Sequence, residues 1–298
     1  MNRKNKVREG SDIVTVVMYL IAALVVVVTL YPMYYVLILS LSDPQYAITM
    51  QVYALPRGLN FDAYKILAAD PKMWRAFSNT VIYAISTTVL MLVTSVLGAF
   101  PLTFKTLVGR KYINTYLLIT MFFSGGLIPS FLLIMRLGMY DTPWALIIPS
   151  CFSVWNIILT KSYLSTIPET LREAAKIDGA SVYQILLKIY LPLAMPILAV
   201  IAVYTVVGVW NSWFSAMIYL PHVTWQPLQL HLRRMLVLTQ SPTEVMSSDA
   251  ARQLAALKLS YAQLKYAMII FSSLPVLFTY PFFQKYFMKG IMLGSLKE

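Results

Sequence analysis

The sequence predicts an all-α, polytopic membrane protein with six transmembrane helices, and three observations carry that prediction. Hydrophobic residues make up 59% of the chain and charged residues only 12%, which is too apolar for a soluble domain. Apolar runs of membrane-crossing length recur along the chain. Lysine and arginine sit at the ends of those runs rather than within them, and although the long outer loops hold some as well, long loops weigh less in the positive-inside rule. A net charge of +12 raises the question of nucleic acid. These cations are scattered rather than gathered with aromatics on one polar face, so topology explains them and no nucleic-acid partner is predicted. The single cysteine, Cys151, cannot form a disulfide within the chain and reads as a small core residue.

Taken in order, residues 1–12 form a short basic segment assigned to the cytoplasm. The first span is the charge-free run from Ile13 to Ser42. It is longer than the apolar part of a signal peptide and lacks a small-residue cleavage site, so it is expected to remain. Residues 43–75 are mixed polar and aromatic, with Pro44, Pro56, Gly58 and Pro71 as breakers, and read as an extracytoplasmic loop with short interfacial helices. Ala76 to Phe104 is the second span, closed by Lys105, Arg110 and Lys111. Tyr112 to Met135 is the third, with Gly125-Gly126-Leu127-Ile128-Pro129 expected to kink it. The fourth runs from Pro143 to about Thr160.

Thr166 to Tyr190 follows as a charge-rich segment between apolar spans. Thr166 with Glu169 and Ser181 with Gln184 each have capping-box spacing, so two short helices are predicted with Gly179 turning the chain between them. On the first, Ile167, Leu171, Ala174 and Ala175 fall on one face and Glu169, Arg172, Glu173 and Lys176 on the other, which by itself describes a solvated amphipathic helix at the membrane surface. The fifth span starts at Pro192 and runs to about Tyr219. Residues 221–263 form a second extracytoplasmic loop, with Glu244 to Leu264 capable of helix. The sixth span is Tyr266 to Phe283, and residues 285–298 are a basic cytoplasmic tail. Six spans with both ends inside put residues 166–190 in the cytoplasm, within one transmembrane domain covering 1–298.

Chemistry-bearing motifs are largely absent. There is no G-x-x-x-x-G-K-[ST] loop to cradle a nucleotide phosphate. His222 and His231 lie in a loop without Cys or carboxylates at metal-ligand spacing, so neither a metal site nor a catalytic residue is predicted. The spans are nearly free of ionisable residues, which argues against an ion-coupled carrier. Their polar content is Asn, Ser, Thr, Tyr and Trp, which suits a neutral polyhydroxylated solute. Trp210, Asn211 and Trp213 in the fifth span and Trp155 and Asn156 in the fourth are the candidate path residues, able to stack on a sugar face and bond its rim. An aromatic belt at the membrane interface is the competing reading for Trp213 and its neighbour Phe214.

The spacing Glu173-Ala174-Ala175, three residues, Gly179, nine residues, Ile189, one residue, Leu191-Pro192 resembles the EAA signature, E-A-A-x3-G-x9-I-x-L-P, at all seven specified positions. That signature belongs to the membrane-spanning subunits of bacterial ABC importers. Further stretches, Phe123 to Pro149, Trp210 to Leu220 and the tail FMKGIMLGSLKE, resemble the carbohydrate-uptake group, related to the maltose importer's smaller membrane subunit, with GGLIP and WQPLQLHLRRML most similar to permeases for polysaccharide fragments. The resemblance implies a type I permease fold with a cytoplasmic coupling helix pair at residues 166–190, in which Glu173, Ala174, Ala175, Asp178, Gly179 and Pro192 meet an ATPase. It also implies a second permease subunit, two ATPase subunits carrying ATP and Mg, a solute-binding protein, an oligosaccharide substrate, and a multi-pass place in the lipid of a bacterial cell membrane. This chain would bind no cofactor itself. A permease for another solute class and an ion-coupled secondary sugar carrier are the alternatives.

Overall fold

The computed structural model describes residues 4–49, 51–240 and 263–279, and among them the chain is helical throughout, with no strand. Two compact units are present. One takes Met1–Ala69 and Leu236–Phe271; the other takes Asp70–Met235 and Ser272–Glu298.

In the first unit a helix from Lys4 to Leu41 contains the predicted first span, here Ile13–Leu41, 29 residues long. Every residue from Ile13 to Tyr34 is exposed, so this stretch of apolar cylinder buries nothing against its own chain and presents itself to lipid or to another subunit. Two short helices follow, Pro44–Ile48 and Asp62–Ala69, as the breakers in residues 43–75 predict. Asp43 caps the first by accepting from the Gln45 amide at 2.9 Å, with Pro44 at the first helical position where a missing N–H is harmless. Gln263 fastens the unit by donating to the carbonyls of Ser40, Ser42 and Asn60 at 2.9–3.1 Å. It opens the apolar helix Gln263–Thr279, which contains the described part of the sixth span.

The second unit is built on the span Pro71–Thr103, 33 residues and about 50 Å at 1.5 Å per residue. It starts five residues earlier than the sequence predicts. Pro71 does not break it, because Asp70 caps the helix through the Lys72 amide and proline occupies the first turn. The helices Val154–Leu164 and Met195–Trp210 pack on it. Gly98 permits the closest approach, since a Cβ there would stand 3.0 Å from Ile157 Cδ1.

The remaining predicted spans are broken helices. Arg110–Phe122 and Leu127–Arg136 meet at 110°, not at a kink: Gly126 has φ +84°, and the four residues Phe123 to Gly126 leave the helix altogether. Trp144–Ser150 and Val154–Leu164 meet at 40°. There Ser153 caps the second piece, and Thr94 donates to the freed Cys151 carbonyl at 2.6 Å, so the break is satisfied from a neighbouring helix. Val182–Leu193 and Met195–Trp210 meet at 73°. Pro192 has no N–H to continue the ladder, and the chain answers with a π-helical turn over Leu186–Tyr190. The fifth span ends at Trp210 rather than Tyr219, with Phe214–Tyr219 a separate short helix. Leu228–Gln240, read from sequence as loop, is a helix. The predicted helix from Glu244 lies outside the described residues as far as Ala262.

Candidate functional site: a coupling arm and a hydroxyl-lined cleft

The segment from Thr166 to Tyr190 forms two helical arms, Glu169–Ile177 and Val182–Leu193, hinged at Gly179. The hinge is a Schellman turn. Ala180 N–H bonds the Ala175 carbonyl at 2.9 Å, Gly179 N–H bonds the Lys176 carbonyl at 3.1 Å, and Gly179 takes φ +78°. Asp178 is the residue at which the helix stops. Past the turn the predicted capping box is present: Ser181 accepts from the Gln184 amide and the Gln184 side chain accepts from the Ser181 amide.

The first predicted box is absent, and so is the predicted division of faces. Thr166 donates back to the Tyr163 carbonyl, Pro168 precedes the helix, and Glu169 is drawn to Lys105 at 3.0 Å instead of capping. The Lys105 ammonium, then Arg172 and Arg110, hold the Glu169 carboxyl below its ordinary value. Arg172 folds inward over the Phe104 ring at 4.7 Å. Ile167 and Ala175 settle on a core that includes Phe100, Leu164, Ile185 and Tyr190. Leu171 and Ala174 face out instead, in a surface that continues through Ile177, 87% exposed, Val182 and Tyr183, 78% exposed. Glu173, Lys176 and Asp178 in the first arm are exposed, as is Pro192 near the end of the second. A run of large apolar side chains kept in solvent at a helix pair is an interaction surface.

Further along the same bundle lies a cleft of about 310 Å³ between the helices Pro71–Ala99, Val154–Leu164 and Met195–Trp210. Ten of its fifteen lining residues carry a hydroxyl or an amide: Thr80, Tyr83, Thr87, Ser150, Ser153, Asn156, Tyr204, Thr205, Ser212 and Ser215. None is charged. The helix break at Cys151 opens onto this space through Ser150 and Ser153, which is where irregular backbone at membrane depth is tolerated. Thr80, Tyr83 and Thr87 are buried in its wall and the hydroxyls of Thr80, Tyr83 and Thr205 bond backbone groups, so Asn156, Tyr204, Ser212 and Ser215 are the groups best placed to meet a neutral hydroxyl. Among the described residues no group of His, Cys, Asp and Glu could hold a metal ion.

Residues 1–293 match the family described as binding-protein-dependent transport system inner membrane component. The chain belongs to that family. It is 32% identical over 270 residues to LplC of Bacillus subtilis (strain 168), covering 91% of this chain and 90% of that one. It is equally 32% identical over 266 residues to that organism's polygalacturonan/rhamnogalacturonan transport system permease YtcP, covering 89% and 92%. Its fold superposes with a TM-score of 0.82 and 32% identity on a chain of a bacterial ABC transporter involved in the import of the acidic polysaccharide alginate, covering 93% of this chain and 98% of that one. The protein is a membrane-spanning permease subunit of an ABC importer with the type I permease fold.

For this permease, the path residues picked from sequence separate. Asn156 lines the cleft. Trp210 does not: its ring is 4% exposed, edge-on to Phe77 at 5.7 Å, and its indole N–H donates to the Ser272 carbonyl at 2.9 Å. Asn211 ends the fifth-span helix with its amide on the Val207 carbonyl. The Trp213 face is occupied by the Arg233 guanidinium at 3.5 Å, and Trp155 is exposed away from the cleft. Thr80, Tyr83, Thr87 and Tyr204 were missed. The first three stand at helical spacing, but Ser78, Asn79, Ser86 and Thr88 put polar residues on other faces of the same helix, so periodicity alone does not single them out.

Proposed function

We propose that this chain forms half of the translocation path of an ATP-driven oligosaccharide importer and receives its driving force at residues 166–190. The cleft of uncharged hydroxyl and amide groups, set in the same bundle as the EAA arm, is the observation that supports the reading most directly. A polyhydroxylated chain exchanges bonds among such groups without a deep well at any one of them, which suits passage rather than storage. With no nucleotide loop of its own, the subunit draws work from two partner ATPases that carry ATP and Mg. Their groove takes the exposed surface of Leu171, Ala174, Ile177 and Tyr183, with Glu173 offering a charge-assisted contact. A second permease subunit completes the path, and a solute-binding protein delivers the sugar from outside, with the arm and both termini in the cytoplasm. Alternating access follows: closure of the ATPase dimer moves the arms and turns the spans toward the outer side. Relatives are named for polygalacturonan and for the acidic polysaccharide alginate, whose carboxylates an uncharged cleft does not pair, so neutral oligosaccharides are to be tried beside fragments of those polymers.

Purification of the intact importer from its native membrane tests this. The expected result is a complex containing a second permease and an ATPase whose hydrolysis rises with an oligosaccharide and its binding protein. Stimulation by amino acids or peptides alone would assign the path to another solute class.

A further inference from the structure

The span Pro71–Thr103 is gripped at both ends. At the arm, the Lys105 ammonium pairs with Glu169 Oε1 at 3.0 Å, and Arg172 stacks on Phe104. Phe104 lies edge-on to Phe100 at 5.0 Å, and Phe100 edge-on to Tyr190 at the same distance. The Lys105 pair is largely solvated, so it adds register rather than strength. Arg172 is different. Its side chain is only 11% exposed, its nearest carboxylate oxygen is 3.9 Å away, and its Nε has no hydrogen-bond partner. A buried N–H left unsatisfied is destabilising, and a guanidinium on a surface helix would ordinarily reach water. It is held against Phe104 nonetheless.

At the other end the span holds the backbone of a strap, Val223 to Leu228, that borders the cleft through Pro227. Asn79 donates to the carbonyls of Thr224 and Gln226 at 2.8 and 3.1 Å, Tyr83 donates to the Trp225 carbonyl at 2.7 Å, and Thr80 accepts from the Leu228 amide at 2.7 Å. The helix is unbroken from Pro71 to Ala99, and a 3-10 turn over Pro101–Thr103 joins it to Phe104 and Lys105 at the arm. The helix that continues the chain from the arm is bent by 73° and carries a π turn. The stiff route between arm and strap is therefore sideways, through a neighbouring span, rather than along the chain.

We propose that Glu169 and Arg172 are positioning residues that pass displacement of the coupling arm into the span Pro71–Thr103, and that this span carries it to the strap Val223–Leu228 at the cleft. This rests on the arm being the site where the ATPase acts. Neither residue belongs to the EAA signature, and they touch Lys105 and Phe104 respectively, which follow directly on the span Pro71–Thr103.

The test uses the complete importer in nanodiscs, with Cys151→Ser and a spin label at Val223→Cys, and ATP plus vanadate as the probe. In the parent complex the label's mobility shifts when nucleotide is trapped. Arg172→Lys, which keeps the charge but loses the planar stack, and Phe104→Leu are expected to reduce that shift at least twofold while the ATPase still co-purifies. Lys105→Glu is expected to reduce it as well, and the swap Lys105→Glu with Glu169→Lys to recover it. A full shift in both Arg172→Lys and Phe104→Leu overturns the proposal and leaves arm docking intact; a label that never responds in the parent complex overturns docking too.

Discussion

Gly179 shows how much of the arm hangs on one backbone dihedral. No atom lies within 4 Å of a Cβ built there, so the penalty for a side chain is conformational and not steric. At φ +78° a bulky L-residue pays about 1–2 kcal/mol, and asparagine less. Gly179→Asn is expected to retain most uptake and Gly179→Leu to lose it while both insert, which transport assays in membrane vesicles would check. The two residues Trp210 and Asn156 should part in the same assay. Trp210→Phe removes one hydrogen bond and is expected to lower stability by about 1 kcal/mol, seen as earlier thermal unfolding, without altering which sugar is carried. Asn156→Ala is expected to raise the KM for the transported sugar with little change in unfolding.

At the scale of elements, the packing of Pro71–Ala99 on Val154–Leu164 depends on the absence of a side chain at Gly98. Gly98→Leu would have to displace Ile157, buried at 2% exposure, and overpacking of this kind costs about 1–3 kcal/mol. Loss of the assembled complex on size-exclusion chromatography, restored in part by Ile157→Ala, is the expected outcome. The latch between the arm and Lys105 carries a pH signature. Because Glu169 binds its proton less readily in the fold than in the unfolded chain, the latch contributes above the ordinary carboxylate range and is lost as pH falls through the lowered value. Hydrogen exchange of the Glu169–Ile177 amides should therefore be flat around neutrality and rise, after correction for intrinsic rates, only in acid; a rise near neutral pH would point to another group.

For the whole molecule the decisive expectation is sidedness. With the arm in the cytoplasm, a cysteine at Lys176 in a Cys151→Ser background is expected to react with an impermeant maleimide only in inside-out vesicles, and one at Lys72 only in right-side-out vesicles. Both positions are exposed, so access and not burial governs the result. The span Ile13–Leu41, bare as far as Tyr34, offers an apolar surface to lipid or to another subunit.

The amino-acid sequence by itself determined the membrane class, the approximate spans, the signature at Glu173 to Pro192 and the turn at Gly179. Each is written locally, in runs of apolar residues or in the backbone freedom of one residue. Tertiary structure decided the 110° break at Gly126, the inward fold of Arg172, the core role of Trp210 and the assembly of the cleft. Those depend on partners far along the chain, as with Trp210 and Ser272, 62 residues apart, or Asn79 and Thr224, 145 residues apart. A periodic pattern says which face of a helix is polar; only the neighbouring helices say whether that face meets water, a ring or a cavity.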